Sequence, residues 1–296
     1  MLPLTIAWFF AKKMPRFFAM VCDLIAILML IFLLVGNNSA SQASTYLTSF
    51  QFSSKSPLYN IISTSFDAQN TTTGLQKIQV CAGYMGICVV DLPKAYSSES
   101  TLCYNRKSVS NQTLYQDLGV KVFNIRTSDT KNTANSTDTM ELNILQLAQD
   151  NSVKVIHPYV LMAVIVLALV MFCATLCATV PKLPGKSYIN SFLLFLSPLL
   201  TLLWGLGAMW TDVAIRAAKN YVPHASMGIL KVKVGTKAST MAWAAFSFFI
   251  VNCLILWALY FRDRRALGKE IDKIRARNDS FDPKYPSDHS TLNSKH

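Results

Sequence analysis

Gly83-Tyr84-Met85-Gly86-Ile87-Cys88, followed by Cys103, lies inside a long polar stretch that interrupts an otherwise very apolar chain. Two glycines and a cysteine closing onto a second cysteine read as a strand pair stapled by a disulfide. In an oxidising compartment, a bridge over a loop of this length restricts the unfolded chain and contributes about 3 kcal/mol. Cys88 with Cys103 is the preferred pair; Cys81 with Cys88 and Cys81 with Cys103 are the alternatives. In an unbroken strand Cys81 and Cys88 would face opposite sides, whereas Gly83 and Gly86 permit a bend or a close approach. Whichever cysteine is left over, Cys81 on the preferred pairing, is expected to be buried and inert, or to bridge to a partner.

Outward from this stretch the chain is 296 residues long, 52% hydrophobic and only 15% charged. With a mean hydropathy of +0.31, that balance points away from soluble domains. The net charge of +12 does not indicate nucleic acid, because the basic residues flank apolar runs and form no patch interleaved with aromatics. Of the seven cysteines, Cys22, Cys173, Cys177 and Cys253 fall within apolar runs. Only Cys81, Cys88 and Cys103 are in the polar stretch, where extracytoplasmic bridges can form.

Four apolar runs, 17–35, 158–180, 191–210 and 239–261, are long enough to cross a bilayer. They leave a cytoplasmic N-terminus at 1–16, a large outer loop at 36–157, a cytoplasmic link at 181–190, a second outer loop at 211–238 and a basic, partly disordered tail at 262–296. The link carries lysines and no acid, and the tail opens Arg262-Asp263-Arg264-Arg265, so both are expected inside. An uncleaved first span is the expectation, with signal-peptide cleavage between Ala40 and Ser44 as the alternative. On the third span Ser197, Thr201 and Gly205 recur every four residues and offer a close-packing face. Cys173 and Cys177 are expected as small packing residues on the second.

The large loop contains the sequons Asn37-Asn38-Ser39, Asn70-Thr71-Thr72, Asn111-Gln112-Thr113 and Asn135-Ser136-Thr137. They support a lumenal or extracellular location, with Asn70, Asn111 and Asn135 as the expected glycosylation sites and Asn37 too near the membrane. Strands are expected at 75–81, 87–92 and 120–126, more weakly at 46–52 and 59–66, and at 229–234 in the second outer loop, where a strand could extend the same sheet. Residues 129–139 lack large apolar side chains and are expected to be mobile; Leu142, Leu145 and Ala148 suggest a short helix.

Asp23 is the ionisable residue deep within a predicted span, which makes it a candidate functional acid. The structural alternative has it reaching the cytoplasmic interface or pairing with Lys12, Lys13 or Arg16. Asp212 is expected to pair with Arg216, one turn on. Loop carboxylates are scattered without EF-hand spacing, the four histidines lie far apart, and no nucleophile–base pair is evident. The reading is therefore no enzyme, no metal site and no cofactor.

With its long first outer loop and Gly83, Tyr84, Met85, Gly86, Ile87, Cys88 and Cys103 in a Gly-hydrophobic-hydrophobic-Gly-x-Cys…Cys pattern, the chain resembles the claudin superfamily of tetraspan proteins. More closely, over residues 17–261, it is similar to the fungal mating-factor-induced membrane proteins described as calcium regulators and membrane-fusion proteins. The resemblance implies an all-α membrane protein, a claudin-like bundle of four transmembrane helices with a small disulfide-stapled extracellular β-sheet. It also implies low-affinity calcium influx and cell fusion at the plasma membrane, enriched at mating contacts, with both termini cytoplasmic. Expected partners are membrane lipids, a calcium channel or another membrane protein, and an opposing cell or a second copy. Absence of the tryptophan of the animal claudin loop signature argues against a paracellular barrier. The alternative is a claudin-like organiser of membrane domains or a pH-sensing tetraspan.

Overall fold

Residues 2–67, 72–125, 138–179 and 186–279 are described by the structure, a computed structural model. In chain order the helices are α1 (Leu2–Val35), α2 (Tyr59–Asp67), α3 (Thr113–Asp117), α4 (Ile144–Asp150), α5 (Pro158–Thr179), α6 (Lys186–Ala225) and α7 (Thr236–Asp279). The strands are β1 (Thr48–Phe52), β2 (Gln79–Ala82), β3 (Gly86–Val90), β4 (Thr101–Asn105), β5 (Gly119–Ile125), β6 (Asp138–Asn143) and β7 (Leu230–Val234).

Stretches of α1, α5, α6 and α7 are long and apolar enough to cross a membrane. Each buries one stripe, such as Ala26, Leu30 and Leu33 on α1 or Leu200, Trp204 and Ala208 on α6. The remaining sides are apolar too, yet exposed: Phe32, Val166, Leu202 and Leu254 look outward. Such a surface is a liability in water and natural against lipid tails. The protein is a membrane protein with a four-helix bundle in which α1 packs on α5 and α7, and α6 packs on the same two. Ser197, Thr201 and Gly205 form the seam between α6 and α7. Ser197 Oγ lies 3.5 Å from Cys253 Sγ, Thr201 Oγ1 donates to Phe249 O at 3.3 Å, and a Cβ on Gly205 would press on the Phe246 ring at 2.8 Å. Cys173 and Cys177, expected in packing, are instead exposed on the outside of α5.

Two helices overrun their expected ends. α6 continues to Ala225, through much of the expected outer loop, because Ile215, Ala218 and Val222 extend its apolar stripe under the sheet and Asp212 accepts from Arg216 at 2.8 Å. α7 runs to Asp279, well past the expected end at 261, on a run of good helix formers. Where these helices meet the N-terminal one, Arg16 pairs with Asp263 at 3.1 Å and donates to Ala178 O at 3.3 Å, tying α1, α5 and α7 together.

Above the bundle lies an antiparallel sheet in the order β4-β3-β2-β1-β7, with β5 and β6 forming a separate hairpin. β7, contributed from between α6 and α7, pairs with β1 so that Phe50 stands opposite both Val80 and Val232. One sheet face buries Phe50, Val80, Ala82, Ile87 and Val89 in a second apolar core with α2 and α4. Segment 59–66, expected as a weak strand, is helical. Only Ile62 and Phe66 within it are buried, four residues apart, and Phe66 meets Phe52 at 5.8 Å. The strand expected at 75–81 is a 3-10 turn over Leu75–Lys77 before β2 begins. α4 starts where Asn143 caps it, Oδ1 accepting from Leu145 N at 2.9 Å and Gln146 N at 3.2 Å. The expected mobile segment at 129–139 and the disordered end of the tail fall largely outside the described residues.

Candidate functional site

The turn between β2 and β3 is where sheet, bundle and the end of α1 meet. Gly83 N donates to Gly86 O at 2.9 Å, closing the hairpin over Tyr84 and Met85. Both glycines are dictated by what passes behind them. A Cβ on Gly83 would come within 2.8 Å of Asn37 Cβ, and one on Gly86 would collide with Asn37 O. Asn37 itself follows α1 with a φ of 65°, a conformation that Asn tolerates better than most residues. Its fully buried amide donates to Cys81 O at 2.6 Å and Gly86 O at 3.2 Å. The first span is thus bonded directly to the hairpin.

From this turn Tyr84 points down into the bundle, where its hydroxyl meets Thr211 Oγ1 of α6 at 2.9 Å. Burial pushes the phenol up to about 12, so it stays neutral at physiological pH. Met85 packs against the bundle core and Ile87 is fully buried in the sheet core. A third clasp comes from the π turn Asn151–Val155 that leads into α5: Ser152 Oγ donates to Gly83 O at 2.9 Å, and Asn151 Nδ2 to Thr48 Oγ1 at 3.0 Å. Arg106, just after β4, is buried and pairs with no acid among the described residues. Its Nη1 donates to Ser152 O at 2.9 Å and Ile156 O at 3.4 Å, carbonyls left over where the helical stretch ends.

Cys88 and Cys103 are disulfide-bonded and stand directly opposite each other in the β3–β4 pairing. Cys81 is free and buried, and it stands directly opposite Cys88 on the other side. The hairpin at Gly83 puts residues 81 and 88 on neighbouring strands, so Ser49, Cys81, Cys88 and Cys103 form one row on one sheet face. Burial pushes the Cys81 thiol up, which keeps it protonated and unreactive. The Cys103→Ser variant is expected to lose about 3 kcal/mol, the value for a closed loop of this size. The check is reduced surface abundance with a lower thermal midpoint in whatever protein is recovered.

Asp23 stands apart from this turn, inside the bundle. It is buried, and neither carboxylate oxygen has a hydrogen-bond partner among the described residues. Arg16, one of the partners expected for it, is committed to Asp263 and Ala178 O instead. Asp23 is therefore buried in the bundle and not paired with Arg16; the side chains of Lys12 and Lys13, the other partners expected for it, lie outside what the structure describes. Asn252 of α7 is likewise buried with an unpartnered Oδ1. Asn111 is exposed, at the end of a 3-10 turn, open to a glycan; Asn70 and Asn135 lie outside the described residues. Asn37 and Arg106 escaped sequence reasoning, the first because it read only as a sequon, the second because its partners are backbone carbonyls.

Comparison with known proteins agrees with this architecture. A family described as "Ca2+ regulator and membrane fusion protein Fig1" matches residues 64–262. The chain is also similar to the Factor-induced gene 1 protein of Saccharomyces cerevisiae, 45% identical over 302 aligned positions that cover 100% of both chains. No solved structure matches it.

Proposed function

The chain belongs to the Fig1 family of Ca2+ regulators and membrane fusion proteins, and from that premise we propose that it promotes low-affinity calcium influx and membrane fusion where mating cells meet. It acts without catalysis, as a plasma-membrane protein with its sheet outside and both termini in the cytoplasm. The observation that carries this reading is the joint at Gly83–Gly86, where Asn37, Ser152 and Thr211 each bind the hairpin. A sheet held this way moves with the helices. Contact with an opposing cell, with a second copy or with a channel subunit is thereby conveyed to α1, α5 and α6.

Cells lacking the gene are expected to show reduced pheromone-stimulated calcium uptake and reduced fusion of paired cells. Tagged protein should gather where the cells touch. Unchanged uptake and fusion, together with static patches in vegetative cells, would replace this reading with that of a membrane-domain organiser.

A further inference from the structure

Between α5 and α6, at the end of the bundle nearest the sheet, lies a groove of about 440 Å³. Leu206 and Trp210 frame its mouth and are exposed, Val160 and Trp204 line its walls, and Gly207 keeps it open. A Cβ on Gly207 would stand 3.1 Å from Val160 Cγ1 and 3.5 Å from the Trp204 ring. These residues belong to spans that cross the bilayer, so what reaches the groove is lipid.

The polar end of the groove decides which lipid. Thr211 Oγ1 donates to Gly207 O at 2.9 Å, so in its 2.9 Å contact with Tyr84 the phenol must be the donor. Tyr84 has thus spent its proton, and its oxygen, on a side chain buried to 2% exposure, retains only the capacity to accept. Trp210 Nε1 is committed to Val155 O at 3.3 Å. Among the described residues no lysine or arginine lines the groove, so a phosphodiester finds no permanent counter-charge there. The His157 imidazole, which also lines the groove, supplies an N–H, so an ester carbonyl that accepts from it would still leave Tyr84 Oη unpaired, whereas a hydroxyl can accept from His157 and donate to Tyr84. A hydroxyl on an otherwise apolar body satisfies the site.

We propose that this groove is a sterol-binding site, with the rigid ring system beside Gly207 and Trp204 and the single hydroxyl donating to Tyr84 Oη near the His157 imidazole. The inference rests on membrane insertion alone and is independent of the calcium reading. It gives Tyr84 of the glycine turn a second task, sensing the lipid beside the bundle.

The test is photolabelling of the purified full-length protein in phosphatidylcholine vesicles with a diazirine-bearing sterol. Label is expected within 157–161 and 203–211. Unlabelled sterol should compete, whereas the 3-keto analogue, which cannot donate, and diacylglycerol should not. Tyr84→Phe is expected to lower labelling about fivefold, the value of one hydrogen bond, and Gly207→Leu to abolish it. Should Gly207→Leu fail to fold, Leu206→Trp narrows the mouth from the lipid side and is expected to reduce labelling as well. Equal competition by the ketone, displacement by diacylglycerol, or labelling indifferent to these folded variants would each overturn the proposal.

Discussion

Gly86→Val is expected to remove the protein from the cell surface. The new side chain has nowhere to go, because its first carbon would fall on Asn37 O, a backbone atom held by the end of α1. Relief requires the Asn37 turn to swing away, surrendering the bonds from its amide to Cys81 O and Gly86 O. Overpacking and the lost buried hydrogen bonds together cost about 3–5 kcal/mol, a large share of the stability of an ordinary domain. Gly268→Ala supplies the control. Gly268 sits in α7 with nothing within 4 Å of its would-be Cβ, so alanine there is expected to add about 1 kcal/mol of helix propensity. Surface biotinylation of both variants checks the contrast; normal delivery of the valine variant would show that the hairpin and Asn37 do not need their close approach.

Asp23→Leu is expected to stabilise the purified protein and at the same time to lower calcium uptake in cells. A buried carboxyl with neither oxygen bonded among the described residues carries a burial cost of about 3 kcal/mol. Leucine removes it and fills similar space. Asp23→Asn separates charge from shape: uptake should fall while surface abundance stays level. Thermal unfolding in detergent and calcium uptake, both normalised to surface protein, read the two effects. Unaltered uptake at normal abundance would take Asp23 out of the calcium function, and a lower midpoint for the leucine variant would show that the acid has a stabilising partner.

Hydropathy located the four membrane-crossing segments because an apolar run of that length has no other use for so many exposed leucines and phenylalanines. It could not locate the ends of α6 and α7. Beyond the bilayer a helix is sustained by a narrow stripe such as Ile215, Ala218 and Val222, and that stripe has meaning only once the sheet above it is placed. The Tyr59–Asp67 segment misled for a related reason. Its isoleucines and threonine favour strands, but packing of Ile62 and Phe66 on Phe52 overrides that preference. At the candidate site the glycines and cysteines were legible as a bend and a bridge. The object for which the glycines leave room, Asn37, lies more than forty residues earlier and carries no local sign of that role. Asp23 was legible as an oddity, whereas the loss of Arg16 as its partner depended on an aspartate from the far end of the chain claiming that guanidinium.

The length of α6 has a consequence for two membranes in apposition. Its 40 residues span about 60 Å, roughly twice the hydrocarbon thickness of a bilayer. On the proposed topology, with the sheet outside, the part beyond Trp210 is a helical post about 20 Å long that carries the sheet at its side. On that topology a facing bilayer that met this post would be kept at that distance. Closing the last gap then requires the post to tilt or the proteins to clear the contact zone, so crowding at the junction and merging of the lipids become successive events.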